Sequence, residues 1–363
     1  MKKDTQLSRR AFLEKVPPVT LSLLAAGQLM APVRAESASS SAGQPHYYGG
    51  DIHPADLKKF VPVMVTPLDS NKKIDYDKVS LLVDFYLAAG ARGFFANCLS
   101  SEMFFMDDAE RIALTRHVVK YVNGRVPVVS TGSFGNSMKE KVAFARKIND
   151  TGVDAAILIT SHFAEKDESD QKLINNFEEF FEKTGDIRLG TYECPRPYKR
   201  IITPKVFKFL VSNDRLIYHK DTSEDIANIA AKLEIARGTK MELYNAHSAT
   251  VLKALQLGAR GMSPVSGNFY PEIHTWLCEN VNNPAKSADA EWIQSEIAKM
   301  EPVIGKYYPL SSKYFLRKRG FPIEVISRSN SREIPADQAQ ILDNSYKTFL
   351  SWCDRLRIKP ATV

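Results

Sequence analysis

The chain has 363 residues, 44% hydrophobic and 25% charged, with a formal charge of +7 at neutral pH. That length exceeds one average domain but suits an α/β barrel of about 250 residues with added helices, and the composition excludes a disordered or fibrous chain. Residues 1–35 carry six positive and two negative side chains, so the remainder carries only +3 and offers no nucleic-acid footprint. Ser8-Arg9-Arg10-Ala11-Phe12-Leu13-Glu14-Lys15, the mainly apolar stretch Val19 to Met30 and the small-residue site Val33-Arg34-Ala35 read together as a twin-arginine signal peptide over 1–35. The apolar stretch is too short to anchor a protein in a bilayer. The sequence therefore predicts a mature chain from near Glu36, exported already folded to the periplasm, with no stable membrane anchor. Glu36 to Gly50 is rich in Ser, Ala and Gly and reads as a flexible leader, set at 36–55. Beyond it, short β-like runs alternate with helical periods, as βα units do. Predicted strands are Phe60–Thr66, Gly93–Asn97, Val126–Thr131, Ala155–Thr160, Leu189–Tyr192, Leu216–His219, Met241–Tyr244 and Gly261–Ser263. Predicted helices are Asp75–Ala89, Asp107–Tyr121, Ser137–Thr151, Asp170–Lys183, Thr203–Ser212, Ser223–Ala236 and Ser248–Leu257, several opening on a capping residue. Eight such strands predict a closed (β/α)8 TIM barrel over 56–275. Helical stretches follow at Ala288–Ile304, Ser311–Arg319 and Pro335–Asp354 within 276–363.

The run Leu216-Ile217-Tyr218-His219-Lys220-Asp221 closes a short apolar stretch on a lysine. In a buried strand the ammonium would sit at the carboxyl end, where α/β proteins put their chemistry. Desolvation would lower its pKa and free the amine to attack a ketone; the competing reading is a surface lysine at a strand end. Upstream, Thr191-Tyr192-Glu193-Cys194-Pro195 follows another short apolar run. A tyrosine and a lysine ending successive barrel strands point a phenol and an amine into one mouth, an acid/base beside a nucleophile. By the same alternation Glu193 and His219 face away from that mouth.

At these residues the chain resembles the dihydrodipicolinate synthase and N-acetylneuraminate lyase family of Schiff-base 2-oxo acid lyases. Its members carry a Tyr-Asn-x-Pro strand end and a Lys-Asp/Glu strand end at this separation, read here as Tyr192-Glu193-Cys194-Pro195 and Lys220-Asp221. Val65-Thr66-Pro67-Leu68 with Ile74-Asp75, Gly124-Arg125-Val126-Pro127-Val128, Leu257-Gly258-Ala259-Arg260-Gly261-Met262-Ser263 and Ser312-Lys313-Tyr314-Phe315-Leu316 match in order and spacing, so the resemblance runs from about Phe60 to the C-terminus. It implies that the last helices pack on the barrel as an appendage and that the chain forms a homodimer or homotetramer. It also implies Lys220 as the imine-forming amine, with no other cofactor, and Tyr192 as the proton relay. A protonated imine is an electron sink for the bond that breaks beta to it, which leaves aldol cleavage, addition and dehydration all open.

Departures from the family pattern narrow the substrate. The carboxylate-binding loop Gly-Thr-Thr-Gly-Glu falls on Cys98-Leu99-Ser100-Ser101-Glu102. Ser100 keeps a hydroxyl and is expected to hold the carboxylate and partner the relay, with Ser101 serving from its N–H or hydroxyl. Leu99 cannot replace a threonine, and the loss of both glycines puts the loop's conformation in question. Where synthases have Pro-Tyr-Tyr, whose second tyrosine completes a relay in a neighbouring subunit, this chain has Ser161-His162-Phe163, and Phe163 carries no proton. The synthases' arginine for their second substrate falls on Pro197, with Arg196 beside it as the substitute candidate. Ala246 and His247, ending the seventh strand, are candidates to contact a polyhydroxylated tail; the alternative for His247 is a helix cap. Cys98, Cys194, Cys278 and Cys353 show no metal-ligand spacing and are expected to be free, so no metal is indicated. The sequence thus predicts an exported Schiff-base lyase for a small-molecule 2-oxo acid, sugar-derived rather than the lysine-pathway substrate. The competing class is a non-catalytic periplasmic 2-oxo acid binding or sensing protein on the same barrel.

Overall fold

A computed structural model describes residues 57–362; the predicted signal peptide and leader lie outside them. Its strands are β1 (Lys59–Phe60), β2 (Phe94–Phe95), β3 (Val128–Thr131), β4 (Ala155–Ile159), β5 (Leu189–Tyr192), β6 (Leu216–Asp221), β7 (Glu242–Asn245) and β8 (Gly261–Met262). They pair in parallel in the order β1-β8-β7-β6-β5-β4-β3-β2. The ring closes beyond β1, where Val63 bridges Phe95 and the Phe95 N–H reaches Pro62 O at 3.0 Å. Parallel neighbours require a crossover, and each crossover here is a helix: α1 (Tyr76–Ala88), α2 (Asp108–Val122), α3 (Met138–Asn149), α4 (Asp170–Thr184), α5 (Pro204–Val211), α6 (Ile226–Ala236) and α7 (Val251–Gln256). Strands covered on both faces need apolar residues throughout, and every residue of β4, Ala-Ala-Ile-Leu-Ile, is buried. This is the (β/α)8 TIM barrel that the sequence predicts.

Helix starts follow local chemistry. Asp75 accepts from Lys78 N at 3.1 Å, Asp107 from Glu110 N at 2.8 Å, and Ser137 and Glu140 cap each other's backbone before α3. The start of α6 lies three residues past the predicted Ser223, because Ser223 donates to Asp221 Oδ1 and Asp225 takes the capping place. β1 is far shorter than the predicted Phe60–Thr66: Pro62 has no N–H for a ladder, and the chain beyond it bridges β2 only at Val63. β6 is longer than predicted, since Asp221 stays in register with Asn245.

A helix missing from the sequence reading, α8 (Pro271–Asn280), completes the eighth unit, so the boundary set at 275 falls inside it. Pro271 to Cys278 are all buried, and a helix enclosed all round leaves no polar face for periodicity to reveal. Thr275 Oγ1 ties it to Ala89 O at the end of α1 at 2.7 Å, while Glu272 pairs with Arg319 on its other side. Arg319 ends α10 (Leu310–Lys318), which with α9 (Ser287–Ile304) and α11 (Ala336–Leu356) forms the appendage. Among the described residues no helix is long and apolar enough to cross a membrane.

Behind the ends of β5 and β6 lies a fully buried charge cluster. Lys232 Nζ, on α6, sits 2.7 Å from Glu193 Oε1, 2.7 Å from Asp221 Oδ2 and 3.3 Å from His219 Nε2. Glu193 also takes the Ile202 and Thr222 N–H groups, and His219 Nδ1 meets Thr191 Oγ1 at 2.8 Å. Burial pushes the Asp221 carboxyl up, but the His219 hydrogen bond and the Lys232 charge outweigh it and hold it well below the usual range. Glu193, His219 and Asp221 could share a cation, and the Lys232 ammonium lies among them. Lys232→Met would strand two buried carboxylates and is expected to cost about 3–5 kcal/mol, read as a lowered urea midpoint. A loss under about 1 kcal/mol would show that solvent relieves the cluster.

Candidate active site

Strand alternation turns Tyr218 and Lys220 into the barrel while His219 and Asp221 face α6. Lys220 is 3% exposed, paired in register with Tyr192 on β5. Its Nζ lies 4.5 Å from the centre of the Tyr192 ring and 5.8 Å from that of Phe95. Burial drops its pKa to about 8 against a smaller opposing pull from the Cys98 and Cys194 thiols, and no carboxylate acts on it. At pH 7 about a tenth of the amine is then neutral, against roughly 3 in 10,000 for a solvated lysine. The Tyr192 phenol is held well above its ordinary pKa, first by burial and then by the Cys194 and Cys98 thiols. It is therefore a protonated donor at neutral pH.

The loop after β2 folds as a short 3-10 turn, Leu99–Ser101. Cys98, where relatives have glycine, sits at φ −139°, open to any residue. Ser100 is buried; burial holds the Tyr308 phenol well above its ordinary pKa, and Ser100 pulls it partly back down. Ser101, expected as a carboxylate ligand, instead braces the loop: its hydroxyl donates to Met64 O at 2.7 Å, accepts from Cys98 N at 3.1 Å, and its N–H goes to Cys98 O. Neither group remains for a ligand. Glu102 takes a left-handed φ of 64° and is held by the appendage through Lys313 Nζ at 3.1 Å, Ser327 Oγ at 2.6 Å and the Arg328 and Ser329 N–H groups at 2.7 and 2.8 Å. Burial raises its carboxyl pKa, and these partners more than reverse the shift.

The structure brings Lys220 and Tyr192 together, and Ser100 is buried in the loop after β2. Arg196 is exposed in the loop after β5. Ala246 is half-buried with its N–H on Asp221 O at 2.9 Å. His247 Nε2 lies 3.3 Å from Glu224, which also takes Lys199 Nζ at 2.8 Å; its side chain caps no helix. His162 Nδ1 meets Ser133 O at 2.7 Å, and burial lowers its pKa to about 4. Phe163 packs on Phe177 and Phe180 at 4.8 and 5.2 Å between ring centres. All four cysteines are free and buried.

Three polar side chains here escape the sequence reading. Asn97 continues β2 on the inward face of Phe95, and Thr131 ends β3 beside it, its N–H on Asn97 O at 3.1 Å. Both are fully buried, and the Asn97 amide and Thr131 hydroxyl have no partner. Each closes an apolar run, the same signal that marks Lys220. Tyr308 comes from the chain before α10, and no local pattern ties it to the mouth. A cavity of about 410 Å³, lined by Lys59, Arg188, Lys240 and Glu242 among others, opens at the opposite ends of the strands, where barrels carry stability rather than chemistry.

Residues 56–347 match the dihydrodipicolinate synthetase family. The 4-hydroxy-tetrahydrodipicolinate synthase of Ectopseudomonas mendocina is 27% identical over 262 residues, 72% of this chain and 84% of that protein. That of Bacillus subtilis is 25% identical over 265 residues, 72% and 88%. Among solved structures, a prophage protein of the dihydrodipicolinic acid synthase family from E. coli, in complex with pyruvate, superposes at TM-score 0.71 and 20% identity, over 81% of this chain and 98% of that one. A monomeric dihydrodipicolinate synthase variant superposes at 0.73 and 16%, over 84% and 100%.

A neutral amine is the reactive form. Carbonyl capture at Lys220 should therefore rise about tenfold per pH unit up to about pH 8 and level off above. Rates of borohydride-trapped adduct formation against pH measure this, and an inflection above about 10 would mark an ordinary solvated lysine.

Proposed function

Because the chain belongs to the dihydrodipicolinate synthetase family, we propose that it captures a 2-oxo acid as an imine on Lys220 and then cleaves or dehydrates it. The carrying observation is the Lys220 amine, enclosed without a carboxylate and 4.5 Å from the Tyr192 ring. The amine attacks the keto carbon, and Tyr192 passes a proton from nitrogen to oxygen. It then protonates the hydroxyl that departs as water. The protonated imine draws the electron pair of the bond beta to it, and Tyr192 phenolate takes the proton released. The Ser100 hydroxyl suits the substrate carboxylate. The pyruvate complex of the E. coli prophage protein supports a 2-oxo acid as ligand of this fold.

For the rest of the substrate, a sugar-derived acid fits best. Asn97 and Thr131 present unmet amide and hydroxyl groups on the inner face, which a polyhydroxylated chain can satisfy and an apolar one cannot. Phe163, buried among phenylalanines, and Pro197 in place of an arginine argue against the lysine-pathway synthase reaction. Export to the periplasm rests on Arg9 and Arg10 with the apolar stretch behind them; replacing both arginines by lysine should leave the precursor unprocessed in the cytoplasm. Association into a homodimer or homotetramer rests on the family resemblance.

Pyruvate with borohydride should add one reduced pyruvyl group to Lys220 in the wild type and none in Lys220→Met. A panel of 2-keto-3-deoxy sugar acids should release pyruvate and aldehyde, or a dehydrated acid. An unmodified Lys220 would end the imine mechanism. The committed Ser101 favours one second reading, a 2-oxo acid binder without turnover, which trapping without product release would establish.

A further inference from the structure

We propose that Glu193 is a positioning residue, whose side chain holds the end of β5 against the end of β6 and so sets the Tyr192 phenol beside the Lys220 amine. This rests on the imine chemistry of Lys220 proposed above. Tyr192 and Lys220 pair in register and are the last inward-facing residues of their strands. One residue further the backbone ladder fails. The Glu193 N–H reaches Lys220 O only at 3.4 Å, beyond the roughly 2.7–3.2 Å usual for such a bond, and the Cys194 N–H turns back to Tyr192 O at 2.8 Å. The chain leaves β6 there.

Side chains make good the loss. Glu193 is fully buried at the first position past β5. Its Oε1 accepts from Ile202 N at 2.9 Å and Lys232 Nζ at 2.7 Å, its Oε2 from Thr222 N at 2.6 Å, and its backbone O from Thr222 Oγ1 at 2.6 Å. The two Thr222 bonds replace the ladder directly, because Thr222 follows β6. Lys232 adds a second link, since its Nζ also donates to Asp221 Oδ2 at 2.7 Å and meets His219 Nε2 at 3.3 Å, both on β6. His219 Nδ1 in turn meets Thr191 Oγ1 on β5 at 2.8 Å.

A shorter, neutral side chain does not do this. Two carboxylate oxygens collect three N–H donors, from the loop before α5, the loop after β6, and α6 itself. The asparagine of the family's strand-end motif is one carbon shorter and has a single acceptor oxygen. At position 193 it would leave at least one of those donors buried without a partner and set no charge beside the Lys232 ammonium. The departure from the family pattern at Glu193 therefore goes with Lys232 on α6. Its consequence lies with Tyr192, whose ring centre stands 4.5 Å from Lys220 Nζ. On one side β4 holds Tyr192 through its register with Ile159; on the other, the Glu193 contacts do. Loosening them lets the phenol drift, and displacements of about 1 Å are enough to slow a positioned proton transfer.

The rate at which pyruvate forms a borohydride-trapped adduct on Lys220 tests this, in a double-mutant cycle with Tyr192→Phe. The Lys220 amine condenses with pyruvate without the phenol, only more slowly, so both backgrounds give a rate. Glu193→Gln keeps the shape but sets an amide N–H against one of the donors. It should lower the limiting rate about tenfold to a hundredfold and leave the pyruvate concentration at half-maximal rate within about twofold. In the Tyr192→Phe background the same substitution should cost less than about twofold, because the group it positions is gone. A loss as large there as in the wild type would come from the fold or from Lys220 itself and would overturn the assignment, as would a Glu193→Gln protein that reacts at the wild-type rate. A wild-type protein that traps no pyruvate would overturn the imine chemistry, and the positioning role with it. Should Glu193→Gln not fold, Thr222→Val, which removes the hydroxyl bond to Glu193 O, carries the same cycle, and a Thr222→Val protein as fast as the wild type would count against the proposal.

Discussion

A buried ammonium must find carboxylates or surrender its proton, and the ends of β5 and β6 apply that rule twice. Outside the barrel, Lys232 lies 2.7 Å from one oxygen each of Glu193 and Asp221. Inside, Lys220 has aromatic rings and thiols for neighbours and no carboxylate, so burial, only partly offset by the thiols, lowers its pKa to about 8. The acids are kept from the Lys220 amine by the pleat: Glu193 and Asp221 are the immediate chain neighbours of Tyr192 and Lys220, yet alternation turns them to the other face. One residue of register would exchange the two environments and give Lys220 carboxylate partners.

The mouth is completed from far along the chain. Glu102, at the end of the loop after β2, is held by Lys313, Ser327 and two backbone N–H groups of residues 328 and 329. The enclosed α8 connects barrel and appendage, with Thr275 bound to the first and Glu272 to the second. These ties fix the loop after β2, in which Ser100 lies.

Much of this was legible in the sequence where the signal is local. Apolar runs closed by Lys220 and Tyr192, capping residues such as Asp75 and Ser137, and the alternation of strand and helix periods are properties of a few neighbouring residues. What sequence reading missed depends on distant partners or on the lack of a pattern. α8 has no exposed face to give it a period. Ser101 looks like a free ligand until Met64 and Ala96 present their carbonyls to it. Tyr308 and Asn268 meet only because the turn after β8 and the chain before α10 are folded together. Asn97 and Thr131 were within reach, for each ends a hydrophobic run as Lys220 does.

The grip of residues 313 to 329 on Glu102 also has a meaning in time. A chain is made from its first residue onward, and Lys220, Tyr192 and the loop after β2 emerge well before the segment that clamps that loop. The strands of the barrel can therefore be made before the residues that hold Glu102. Placing the clamp at the far end leaves the loop facing the barrel mouth unsecured until residues 313 to 329 have been made.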